Sequence, residues 1–222
     1  MKKIVILISG NGSNLRAILE QHRAKAWPAE IVGVISNRPD AYGIQIAKDF
    51  KIPVEVIDHT QFSNRSGFDQ ELFKLVSSYQ PDLVILAGFM RMLGDQFVES
   101  FAGRLMNIHP SLLPSFPGLR THTAAIKAGV KWHGATVHFV TKEMDVGPII
   151  TQGIVPVDPT DTEESLSKKV FQIEHVIYPQ AIEWFIFDQL SIEDGKVRLD
   201  SVHSAHFMLS NDTPYEQKII TK

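Results

Sequence analysis

The stretch Lys2-Lys3-Ile4-Val5-Ile6-Leu7-Ile8-Ser9-Gly10-Asn11-Gly12-Ser13-Asn14-Leu15-Arg16-Ala17-Ile18-Leu19 decides the fold. Its five uninterrupted apolar residues, Ile4 to Ile8, are too few for a signal-peptide core or a membrane span. They read as a buried first strand, followed by a glycine-containing polar turn and a helix that opens at Leu15. Short apolar runs recur at Ile31–Ile35, Val54–Ile57 and Leu83–Ala87, separated by helical spacing at Leu15–Arg23, Tyr42–Phe50 and Phe68–Tyr79. This β-α-β-α rhythm predicts an α/β fold: a single three-layer domain whose mainly parallel sheet is covered on both faces. Ligands of such sheets bind beyond the carboxyl ends of the strands.

The later half has a different texture. Arg104–Ile108 and Gly134–Val140 read as strands, and Ile149–Val157 as a further one with an antiparallel option, which makes the sheet mixed. Leu166, Val170, Ile173, Ile177, Ile182 and Phe185 predict a long helix from Thr162 to about Phe187, with a bend or interruption expected at Pro179. Thr160 or Thr162 caps its start, and Thr160, three residues before Glu163, has the partner that a capping box requires. Beyond Ser191 the chain is polar and weakly patterned, with one strand expected at Lys196–Leu199 and a loose end after Asn211. One catalytic domain over residues 1–190 is expected, with residues 191–222 a partly ordered extension rather than a second domain.

Composition narrows the function classes. In 222 residues with 44% apolar content, a substantial single core can be buried. Twenty-two basic against 25 acidic residues give a net charge of -3 with no long Lys/Arg run, so nucleic acid is not an expected partner. Cysteine is absent, which excludes disulfides, thiolate nucleophiles and cysteine metal sites and fits a cytoplasmic protein with no membrane association. No compact His/Glu ligand spacing appears, so no metal is expected.

Three stretches carry chemistry. Ser9 to Asn14 lies between strand and helix, where glycines let a ligand approach and the N–H groups of a new helix bind anions. Ser13 and Asn14 add side-chain donors or serve as caps; a capped turn without a ligand explains the same residues. The stretch is neither a Walker A loop nor a full dinucleotide fingerprint, because Leu15 stands where a third glycine is required. A single phosphate monoester suits it better.

Asn107-Ile108-His109-Pro110 places an amide and an imidazole two residues apart, on one face if the strand persists. That pair can hold a carbonyl oxygen and move a proton around one electrophilic carbon. Asp145, in the turn before Gly147-Pro148, is a carboxylate able to orient His109, although Asp-x-Gly-Pro is equally an ordinary turn. Ser111 to Gly118 forms a rigid, partly apolar loop able to border a pocket. His122 reads as surface, cap or functional, whereas His133 and His138 read as structural. Finally, Phe89-Met90-Arg91-Met92-Leu93 suits a flat heteroaromatic ring or, equally, a packed strand end with Arg91 exposed.

Together, Ser9–Asn14, Ala87–Arg91, Asn107–Pro114, Val137–Val140 and Asp145–Pro148 resemble the phosphoribosylglycinamide formyltransferase family of purine biosynthesis over residues 2–187. The resemblance implies a formyltransferase-like fold with a Rossmann-type first half. It implies transfer of a formyl group from 10-formyltetrahydrofolate, as cosubstrate, to the amine of 5-phosphoribosylglycinamide, directly and without a covalent formyl-enzyme. Asn107, His109 and Asp145 match the family's catalytic trio. Gly12, Ser13 and Asn14 match its phosphate contacts, and Glu174 its ribose contact. Arg65, Met90, Arg91, Met92 and Leu93 fall on the folate side, with Asn107 and the Val140, Thr141, Glu143 and Asp145 loop. Phe171 departs from the polar or basic residue that members often carry near the phosphate. A monomer or weak homodimer is implied.

Rival folate enzymes share the Asn107–Pro114 region. A transferase acting on methionyl-tRNA is expected to carry an added RNA-binding module, for which this chain has neither the length nor a basic surface signature; a formyltetrahydrofolate hydrolase is expected to carry a preceding regulatory domain, whereas here the first strand begins at Ile4. A phosphate- or nucleotide-binding protein without catalysis uses Gly12–Asn14 and leaves the trio unexplained.

Overall fold

Strand β1, Lys2–Ile8, runs through the interior of its sheet, and Ile4 to Ile8 are fully buried in the computed structural model, which describes residues 1–200 and 206–208. The chain divides into two compact units, one formed by residues 1–107 with 140–142 and the other by 108–139 with residues from 143 onward.

In the first unit β1 is followed by α1 (Ser13–Lys25), β2 (Ala29–Ser36), α2 (Gly43–Asp49), β3 (Val54–Val56), α3 (Arg65–Ser78), β4 (Leu83–Leu86) and α4 (Asp95–Ser100). Strand β5 (Leu105–His109) begins in it. The strand order is β3-β2-β1-β4-β5 and every pairing is parallel. Alternation along β1 gives the two faces different partners. Val5 and Leu7 enter a core with Phe68, Leu72 and Val76 of α3 and Phe97 and Val98 of α4. Ile8 points the other way, against Gly43 of α2, which packs on α1. Helices on both faces of parallel strands are what continuous apolar strands require.

The second unit holds α5 (Thr121–Ala128), β6 (Trp132–Phe139), β7 (Ile149–Pro156), α6 (Glu163–Ile186), β8 (Leu190–Glu193), β9 (Lys196–Leu199) and β10 (His206–Met208). β6 and β7 are antiparallel, β10 adds to β7 in parallel, and β8 and β9 form a separate hairpin. Helix α6 lies on β6 and β7. Contact there depends on Gly153, where a Cβ would sit 2.2 Å from Ile173. The α/β class with mainly parallel, mixed strands therefore holds.

Several details differ from expectation. The start of α6 is capped by Thr162, not Thr160: Thr162 Oγ1 accepts from Ser165 N at 3.2 Å and Ser165 Oγ accepts from Thr162 N at 2.9 Å. Serine completes the reciprocal pair in place of the expected Glu163, while Thr160 is held by Asp158 in the preceding turn. α6 runs unbroken past Pro179. The hairpin of β8 and β9 was expected only in its second strand, and it pairs residue by residue, while Phe207 of β10 lies 6.3 Å from the Trp184 ring. The loose end expected after Asn211 lies outside the described residues.

Candidate active site

The turn after β1 is set by Gly12. Its φ of 73° lies in the left-handed region, and a Cβ there would stand 2.7 Å from Gly43 Cα. Only glycine meets both conditions without strain. Gly12 is also the N-cap residue of α1 and supplies no side-chain cap, so Ser13 and Asn14 open the helix rather than cap it. They belong to a helix start with no acidic residue in its first turn, so no carboxylate there opposes the positive end of the helix dipole.

Also in the first unit, Arg65 opens α3. Its Nη2 donates to the Leu93 carbonyl at 3.1 Å, and its Nε lies 3.3 Å from Asp69. Burial raises the Asp69 carboxyl above the ordinary value despite Arg65. Arg91 lies over the Phe68 ring at 5.1 Å, and Met90 and Met92 are the exposed members of the stretch, at 75% and 59%. The alternative with only Arg91 exposed is thus wrong: the guanidinium packs on an aromatic face and leaves the thioethers in solvent. Val140 donates its N–H to Leu105 O at 2.8 Å and packs on the core, with Thr141 exposed beside it. Asn107 is half-buried on β5, where it pairs in register with Leu86.

The second unit brings His109 and Asp145 together. His109, at the end of β5, is 6% exposed. Its Nε2 lies 3.0 Å from the Phe116 carbonyl, and its Nδ1 lies 3.5 Å from Asp145 Oδ1. Both partners are acceptors, and between them they fix the plane and direction of the ring. Asp145 has a φ of 58°, a conformation costly for most residues but tolerated by aspartate, and its Oδ2 accepts from Gly118 N at 2.8 Å. The Ser111–Gly118 loop thus meets both members of the pair from its backbone. It is itself anchored: Thr136 Oγ1 on β6 donates to Ser111 O at 2.7 Å and accepts from Leu113 N at 3.0 Å. Phe116 and Gly118 were missed by sequence reasoning; their contribution is backbone N–H and C=O, which residue identity does not signal.

Nearby histidines differ. His122 Nδ1 and His133 Nε2 are 3.2 Å apart. Burial, then the His122 and His109 charges, lowers His133 to about 4; burial likewise lowers His122 and His138. These rings are held neutral, which agrees with the structural reading of His133 and His138. Glu174 is buried in α6 at 3% exposure, whereas Glu143 is exposed. Among the described residues no group of three His, Asp or Glu side chains is placed to hold a metal ion.

In the second unit an imidazole and a carboxylate are paired, and in the first a helix opens with no acidic residue in its first turn. The family model described as Formyl transferase matches residues 2–182, and the chain belongs to that family. The chain is 45% identical over 197 residues to the phosphoribosylglycinamide formyltransferase of Escherichia coli (strain K12), covering 89% of this chain and 93% of that protein. The solved glycinamide ribonucleotide transformylase 1 of Symbiobacterium toebii superposes with a TM-score of 0.86 at 44% identity, covering 90% and 94% of the two chains. A formyltetrahydrofolate deformylase from Pseudomonas syringae is similar at a TM-score of 0.84 and 29% identity, with 66% of its chain covered.

Proposed function

We propose that this protein transfers the formyl group of 10-formyltetrahydrofolate to the amino group of 5-phosphoribosylglycinamide, a step of de novo purine biosynthesis, in the cytoplasm. The observation that carries the chemistry is His109 held between the Asp145 carboxylate and the Phe116 carbonyl. The two whole-length relatives above, named for this activity, favour it over hydrolysis.

The incoming amine forms a bond to the formyl carbon and the carbonyl electrons move to oxygen. The Asn107 amide, two residues before His109 on β5, donates to that oxygen. As the intermediate collapses, the bond to the folate nitrogen breaks, and that nitrogen takes the proton the amine gives up through His109. Asp145 fixes the ring's orientation. Gly12, Ser13 and Asn14 receive the substrate phosphate through helix N–H groups, and Glu174 the ribose hydroxyls. Arg65 and Arg91 suit the folate carboxylates as paired donors; Met90, Met92 and Leu93 flank the pterin, with Val140, Thr141 and Glu143 in the loop beside it. Residues 1–190 act as the catalytic portion, in a monomer or weak homodimer.

Purified protein supplied with both substrates is expected to yield formylated product and tetrahydrofolate only when the amine is present. Formate release without the amine overturns transfer in favour of hydrolysis.

A further inference from the structure

Ser9 follows β1 directly and is 4% exposed, three residues before Gly12. Its hydroxyl donates to Asn37 Oδ1 at 2.5 Å and accepts from the Met90 backbone N–H at 2.7 Å. The direction is fixed, because an amide oxygen only accepts and a backbone N–H only donates. Asn37 is 3% exposed and held in turn: its carbonyl accepts from His59 Nδ1 at 2.8 Å and from His59 N at 3.2 Å. His59 packs edge-on against Phe68, the ring that carries Arg91. A buried polar chain therefore runs from β1 through the end of β2 to the backbone of the Met90 segment, all within the first unit.

Phe89 and Leu93 pack that segment on the core, Arg91 lies over Phe68 and Arg65 donates to the Leu93 carbonyl, while at Met90 the backbone is held by the Ser9 hydroxyl. Gly88, at φ 73°, turns the chain away after β4, and residues 88–94 form neither helix nor strand before α4 begins at Asp95. The side chains of Met90 and Met92 are presented to solvent. The phosphate-type turn has its own anchors, Gly43 N to Gly10 O at 3.0 Å and Arg16 N to Gly12 O at 2.9 Å.

We propose that Ser9 is a positioning residue for the folate face: through Asn37 and His59 it sets the backbone that presents Met90, and it does so without contributing to phosphate binding. This rests on the placement of Met90 on the folate side. Replacing Ser9 by alanine removes the acceptor of the Met90 N–H and the donor to the buried Asn37 amide oxygen, so the cost falls on the segment they fix.

The test is amide hydrogen exchange read at Met90, together with steady-state kinetics, on the wild-type protein and Ser9→Ala. In the wild type without ligand, the Met90 amide is expected to be protected; free exchange there overturns the bridge and leaves the folate reading untouched. In Ser9→Ala, Met90 exchange is expected to speed about tenfold or more while the β1 and β4 amides keep their protection, and the KM for 10-formyltetrahydrofolate to rise about tenfold. The KM for the phosphoribosyl substrate should stay within about twofold, since backbone bonds hold that turn. Equal loss toward both substrates, or unchanged Met90 exchange, overturns the proposal. A released Met90 amide with an unchanged folate KM overturns it by removing Met90 from the folate side.

Discussion

The turn at Gly12 and the pair at His109 are built in opposite ways. The first is local: glycine dihedrals and the start of the next helix shape a backbone turn, proposed to take the phosphate, within a few residues of chain. The second is assembled: an imidazole at the end of β5, a carboxylate in the turn after β6, and a loop whose carbonyl and N–H hold both. A site made of backbone resists loss of a side chain and fails when a Cβ is added; one made of side chains does the reverse.

The largest effect follows from removing the side-chain site. His109→Ala is expected to lower kcat by roughly 100- to 10,000-fold with the fold retained, measured by turnover beside circular dichroism. Near-normal turnover would erase the contrast. Next comes the neutral pair, which shares the assembled region. With His133 at about 4 in the fold against 6.5 unfolded, the unfolded chain binds the proton more readily. The stability is present above pH 6.5 and is lost as pH falls toward 4, so roughly 2 kcal/mol should disappear between pH 7 and 5 from His133 alone. Denaturant midpoints across that window check it, and a flat profile contradicts it.

Smaller effects probe the backbone-built turn. Gly12→Ala should raise the KM for the phosphoribosyl substrate about tenfold or more, because the added Cβ meets Gly43 and the left-handed φ is strained. Ser13→Ala, which removes a side chain only, should raise the same KM by less; the reverse order would show that side chains, not backbone, bind the phosphate. Smallest is Thr162→Ala, expected to cost about 1 kcal/mol in thermal or denaturant unfolding without changing turnover.

The same contrast explains what the sequence made legible. Strands β1 to β7 and the helices α1, α2, α3 and α6 announce themselves through apolar period, and the β6–β7 antiparallel option is realised. His109 and Asp145 were legible as residue types, and the loop between them as a border. Their grip by Phe116 O and Gly118 N was not, since any residue carries those groups. Ser9 stayed hidden for a related reason: its partners Asn37 and Met90 are distant in sequence and share no pattern. β8 escaped because a short, half-exposed strand lacks a continuous apolar face, and β10 because it is three residues long. The α6 cap was misplaced because a serine at the third helical position does the work usually looked for in glutamate.

The most direct test of the central claim, that His109 and Asp145 act as one unit in acceptor-dependent transfer, is a double-mutant cycle on kcat with His109→Ala, Asp145→Ala and the combined variant. If Asp145 works through His109, the combined variant is no slower than His109→Ala alone. Losses that multiply would contradict a joint role and leave Asp145 as a separate contributor.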